Sequence, residues 1–151
     1  MSYWLLKTEP SSYSIDDLLR DGKAGWSGVR NYQARNFLRD GMKKGDRALI
    51  YHSSAEPTAV VGEAEVVREG HPDPTQFDRK DDHYDPDSPA DDPRWFQVEL
   101  KGLHKFPHPV TLAEIKAEPD LREMLLIRRG MRLSVQPVTK EQYQAIVRMA
   151  R

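Results

Sequence analysis

Aromatic and basic residues interleave along this chain in a pattern that could do chemistry on nucleic acid. Trp4, Trp26, Trp95, Tyr32 and Tyr51 stand beside Lys7, Arg30, Arg35, Arg39, Lys43 and Lys44; rings of this kind carry stacked bases, and the cations neutralise phosphates. Taken singly, each ring reads as core. Trp26 is the exception, because it lies in a loop between Gly25 and Gly28, where a core tryptophan is less expected. Two other chemistries are weaker. His52 and Ser53 are adjacent, but strand neighbours point to opposite faces, so adjacency makes no nucleophile and base pair, and neither a cysteine nor a GxSxG elbow is present. The segment 71–93 carries oxygen ligands with His71 and His83, yet it meets none of the spacing of an EF-hand. A solvated acidic loop without metal is expected there.

These residues need elements to position them. Asn31 fits a helix N-cap, with Ala34, Phe37 and Leu38 giving the apolar stripe and Gly41 the stop. Arg35 and Arg39 then share the opposite face. Tyr3 to Lys7 reads as a first strand, with Lys7 on the face of Tyr3 and Leu5. Ser14 caps a short helix from Ile15 to Arg20. Arg47 to Ser53 and Thr58 to Arg68 are strands, the second with Gly62 as a bulge or close-approach point. In Arg94 to Lys101, alternation puts Phe96, Val98 and Leu100 inward and Gln97 outward; Trp95 falls on the polar face, where it needs a cover. Capping boxes at Thr111 with Glu114 and Thr139 with Gln142 start two helices, separated by a strand from Met131 to Val138 that ends at Pro137. The last helix should bury Tyr143, Ile146 and Val147. Together these elements predict an α+β fold: a mixed, largely antiparallel sheet curling into a small barrel, with short helices outside.

Composition limits the partners. The 151 residues fit one domain, 1–151, and 24 acidic against 23 basic residues exclude a simple polycation. Eight aspartates between Asp73 and Asp92 against Arg79 and Lys80 give that stretch a charge of −6, which leaves +5 for the remainder of a chain whose net charge is −1. The chain has no cysteine, so neither disulfides nor thiolate metal sites can form. MSYWLLKTEP lacks the charged region and apolar run of a signal peptide, and no stretch approaches a membrane span. A soluble, cytoplasmic monomer without cofactor is expected.

Several long motifs in order carry a resemblance: YWLLKTEP at 3–10, WSGVRNYQARNFLR at 26–39, YHSS at 51–54, DPTQFD and PRW in the acidic segment, and MRLSVQPVT at 131–139. Together they resemble the EVE domain family over nearly the whole chain. That resemblance implies a PUA-like pseudo-barrel with peripheral helices, related to PUA, YTH and ASCH domains. It also implies a non-enzymatic module whose pocket accepts a nucleobase, chemically modified, in DNA or RNA. Carried over by position, the pocket would comprise Lys7, Trp26, Val29, Arg30, Asn31, Tyr51, His52 and Ser53, with Ser134 and Pro137 from the last motif. Trp26 would stack on the base, Asn31, His52 and Ser53 would bond its edge, and Lys7 and Arg30 would neutralise phosphate. Arg35, Arg39, Lys43 and Lys44 would meet the strand's backbone outside the pocket. The alternatives are an enzyme acting on a modified base or nucleotide through His52 or Glu9, and a sensor of small anions or free bases. Extruding a paired base takes a few kcal/mol and stacking on one aromatic returns roughly 1 to 3, so single strands or weakened pairs should be preferred. One methyl mark is worth about 0.8 kcal/mol by burial and up to about 3 by shape, which keeps discrimination below a few hundredfold.

Overall fold

The computed structural model describes residues 1–151. In chain order the elements are β1 (Tyr3–Thr8), α1 (Ile15–Asp21), β2 (Lys23–Gly25), α2 (Tyr32–Asn36), β3 (Arg47–His52), β4 (Ala59–Pro72), β5 (Phe96–Thr111), α3 (Leu112–Ala117), β6 (Val135–Val138) and α4 (Lys140–Met149). All six strands join one mixed sheet in the order β2-β5-β4-β3-β1-β6. Only β1 and β3 run parallel, and a parallel pair needs a long crossover, here supplied by α1, β2 and α2. The edges β2 and β6 do not pair with each other. The sheet is therefore open, and the expected barrel is a pseudo-barrel.

Period-two alternation sorts the strand residues into two cores. Trp4, Leu6, Ala48 and Ile50 join α1 and α2 in a cluster of 18 buried residues, while Leu5, Leu49 and Tyr51 join α3 and α4 in one of 15. β4 and β5 run 14 and 16 residues, well beyond the spans their sequences suggest. Their pairing shifts register at several points, and each extra residue bends and twists the ladder. One such point is Gly62, where a methyl would stand 2.7 Å from the His104 carbonyl oxygen; close approach is what the sequence indicated.

Local rules hold at the helix starts. Ser14, Thr111 and Thr139 each form a reciprocal capping box, with Asp17, Glu114 and Gln142. Asn31 accepts from the Ala34 amide at 3.0 Å. The helix it starts does not stay α: Phe37–Gly41 is a π-helical turn, in which Phe37 tilts against Trp4 at 5.4 Å. β6 is shorter than expected, and Pro137 lies within it rather than at its end, as an edge strand permits. No helix is long and apolar enough to cross a membrane.

The acidic segment departs most from expectation. It does not float in solvent: Asp73 and Gln76 are completely buried, and Ser88 nearly so. The Gln76 amide organises it, donating to the carbonyls of Asp73 (2.7 Å) and Trp95 (2.9 Å) and accepting from the Ser88 hydroxyl (2.6 Å) and the Trp95 amide (3.1 Å). A satisfied polar network does here what an apolar stripe does elsewhere. Trp95 is thereby covered: its indole donates to Asp85 at 2.7 Å, Tyr32 stacks on it at 5.0 Å, and the Arg30 guanidinium lies 5.3 Å from its ring. Gln97, expected outside, is buried with its amide 3.0 Å from His71 Nε2.

Candidate nucleic-acid interface

A cleft of about 580 Å³ opens where β1 ends, between the loop that joins β1 to α1 and the segment 24–30. Its size is within the range of small-ligand pockets. The Trp26 amide donates to the Val98 carbonyl at 2.8 Å, and the Lys7 amide to the Ser134 carbonyl at 2.9 Å, so two sheet neighbours fix its walls. The Trp26 ring meets Tyr13 edge-on at 6.3 Å and belongs to the first core with only 7% of the residue exposed. The Tyr13 hydroxyl donates to Asp21 at 2.8 Å; burial and that carboxylate push its pKa up to about 12, which keeps it protonated. Lys7 forms no ion pair, its ammonium 5.9 Å from the Tyr51 ring, and burial pushes its pKa down. Glu9, Ser12 and Ser27 add polar atoms to the rim. An aromatic wall, an unpaired cation and a few hydroxyls suit a flat, polar ligand with an acceptor or negative charge.

The acidic segment closes one side. Asp73 Oδ2 accepts from the Gly28 amide at 2.8 Å and from Arg30 at 3.1 Å, while its Oδ1 accepts from the amide and hydroxyl of Thr75. Burial alone would push the Asp73 carboxyl up, but these hydrogen bonds from Thr75, Gly28 and Arg30 outweigh it and hold the group below the usual carboxylate range. The His83 ring then packs on Gly28, whose φ of +84° and missing side chain allow both the turn and the contact: a methyl there would stand 2.8 Å from the ring.

Lys7, Trp26, Val29, Arg30 and Ser134 line the cleft; Asn31, Tyr51, His52, Ser53 and Pro137 do not. Asn31 spends its oxygen on the helix cap. Tyr51 is buried in the second core. His52 Nε2 accepts from the Ile15 amide at 3.0 Å, and burial pushes its pKa down, so it serves the start of α1. Ser53 pairs through its amide with Thr8. Pro137 pairs with Trp4 across the edge of the sheet. Arg30 lines the cleft without offering its charge: the guanidinium is engaged by Val29, Asp73, Thr75 and the His83 carbonyl. Arg35 holds the Arg94 carbonyl at 2.7 Å and lies over Tyr32; Arg39 pairs with Asp40. Lys43 stands 4.0 Å from Glu69, and Lys44 donates its amide to the same residue.

Sequence reasoning missed Tyr13, Ser27 and His83 as lining residues. A signal for His83 was available: a tryptophan on a polar face, at Trp95, demands a cover, and the neighbouring acidic segment is the nearest element able to supply one.

Comparison with known proteins places this geometry in context. The model of the EVE domain matches residues 2–149. Thymocyte nuclear protein 1 of mouse is 41% identical over 97% of this chain and 72% of its own length, and the human protein 39% identical over the same shares. The crystal structure of human THYN1 in complex with 5-methylcytosine-containing DNA superposes with a TM-score of 0.92 at 37% identity, covering 99% of this chain and 98% of that one. A Pseudomonas putida protein superposes at 0.95 with 42% identity, over 99% and 100% of the two chains. An ASCH protein of Zymomonas mobilis, 12% identical at a TM-score of 0.57, shares the fold alone. The expected cytoplasmic location is corrected by relatives whose name points to the nucleus. A composition without cysteine is compatible with either compartment, so it could not separate them. With its sheet, its ordered motifs and these relatives in agreement, the chain belongs to the EVE domain family.

Proposed function

We propose that this protein is a non-enzymatic reader that binds DNA as a monomer and takes one modified base into the cleft beside Trp26. The observation that carries the reading is human THYN1, alike over 99% of this chain and crystallised with 5-methylcytosine-containing DNA. The cleft suits that role: the Trp26 and Tyr13 rings offer apolar walls, Ser12, Ser27 and Ser134 offer hydrogen bonds to a base edge, and Lys7 offers an ammonium. Arg30 acts indirectly, by clamping the acidic segment that holds His83 in the wall. The enzymatic alternative through His52 loses support because that ring is outside the cleft and its Nε2 is spent on α1.

Fluorescence anisotropy with short labelled strands tests the reading. Single-stranded DNA bearing one 5-methylcytosine should bind more tightly than its unmodified counterpart, by less than a few hundredfold, and more tightly than the same base in a sound duplex. An RNA strand of the same sequence is the companion probe, and tighter binding there would move the proposal to RNA. Equal affinity of wild type and a folded Trp26→Ala variant for every strand would overturn the cleft assignment.

A further inference from the structure

A second cleft, of about 560 Å³, lies at the other end of β1, between the start of β3 and α4. Arg47, Arg148 and Arg151 line it with Glu63 and the rings of Tyr3 and Tyr143. None of the three guanidinium groups has a carboxylate within ion-pairing distance, and Arg47 Nε is buried without an acceptor. A buried donor left unsatisfied is unusual in a folded protein. Glu63, the acidic side chain of the lining, is engaged by groups other than these arginines: the Tyr143 hydroxyl donates to it within the cleft, and His104 Nε2 is 3.2 Å away. Burial, and then this bond to Glu63, push the Tyr143 pKa up, so the hydroxyl stays a donor. Tyr3, half-buried, tilts against Tyr143 at 4.7 Å between ring centres.

Three unpaired guanidinium forks beside a ring are the arrangement that recognises a phosphate, because the planar fork matches two phosphate oxygens at once. Tyr3 and Lys7 stand four residues apart on β1, roughly 13 Å at about 3.3 Å per residue. One base cannot occupy both clefts. We infer that the arginine cleft is a phosphate-binding site, separate from the Trp26 cleft and independent of what that cleft binds. Its phosphate comes either from the backbone of a strand crossing the protein or from a free nucleotide whose base rests on Tyr3.

Amide chemical-shift titration at constant ionic strength tests the site, with inorganic phosphate, adenosine monophosphate and an abasic oligodeoxynucleotide as probes. Phosphate should give saturable shifts around Tyr3, Arg47, Tyr143 and Arg148, weakened about tenfold in Arg47→Ala and in Arg148→Ala and partly restored in Arg47→Lys. Tighter binding of the oligonucleotide than of the monophosphate identifies a backbone contact, and the reverse order a nucleotide site. Arg148 is exposed on a helix, so its variant reports on binding even if the Arg47 change disturbs the fold. Absence of saturable shifts in this cleft, or shifts indifferent to both alanine variants, would overturn the inference.

Discussion

Arg30 and Asp73, 43 residues apart, meet at 3.1 Å, and the carboxylate of the pair is completely buried while the guanidinium keeps 22% of its side-chain exposure. Through this contact the segment between β4 and β5 becomes a wall of the cleft. Removing one partner of a buried pair leaves the other uncompensated, at about 3 kcal/mol. Asp73→Ala should therefore lower unfolding stability by that order in urea titration and speed amide exchange at Gly28, whose N–H loses its acceptor.

The same carboxylate sets an acid limit. Its folded pKa lies below the ordinary 3.8, so the stability it contributes is fully present above the unfolded pKa and is lost as pH falls from about 3.8 through the lowered value. Between neutral pH and about 5 the stability gap between wild type and Asp73→Asn should be constant; below about 4 it should narrow. Denaturant midpoints measured across this range check the slope.

Lys7 presents the opposite balance. Burial disfavours its charge in the free protein, and no carboxylate compensates. Lys7→Met should stabilise the unliganded protein by about 0.5–1 kcal/mol, a familiar exchange between stability and function, and should weaken binding of an anionic or acceptor-rich ligand about tenfold. Thermal melts and anisotropy titrations on one preparation would separate the two effects.

Gly28 carries two constraints at once, a positive φ and contact with the His83 ring. Gly28→Ala should cost about 1–3 kcal/mol. Part of that cost is the collision, so the penalty should shrink in a His83→Ala background; a double-mutant cycle in urea measures the coupling.

Trp26 is both core and cleft wall, with 7% of the residue exposed. Trp26→Ala should lose about 3–5 kcal/mol of stability, whereas Trp26→Phe keeps a stacking face. Affinity for a modified strand should fall about tenfold or less in the phenylalanine variant and more steeply in the alanine variant, read by anisotropy at a temperature where both remain folded.

What could be read from sequence followed the range of the interactions. Caps at Ser14, Asn31, Thr111 and Thr139 depend on neighbours within one turn, and all four form. The alternation of Leu5 and Leu6, or Leu49 and Ile50, between two cores is equally local. The π-helical turn at Phe37–Gly41 was not legible, because it answers to Trp4 across the first core rather than to its own residues. Nor was the packing of the acidic segment, since burying Asp73 and Gln76 requires donors from Gly28, Arg30 and Trp95, none of them adjacent in sequence. The motif from Trp26 to Asn31 contributes Trp26, Val29 and Arg30 to the cleft lining, but Arg30 and Asn31 there support structure. Residue type shows what a side chain can bond, and only the fold shows which partner reaches it first.

The sheet register also affects how this site can change. Pro72 and Phe96 are paired neighbours, so the ends of the intervening chain are already held together by β4 and β5. Lengthening such a connection costs only about 0.6 kcal/mol per doubling, and neither strand need slip. The exposed stretch around His83, between the buried anchors Gln76 and Ser88, can thus accept insertion or exchange without moving either strand. New ligand preferences can be grafted there while Trp26, Lys7 and both cores stay as they are.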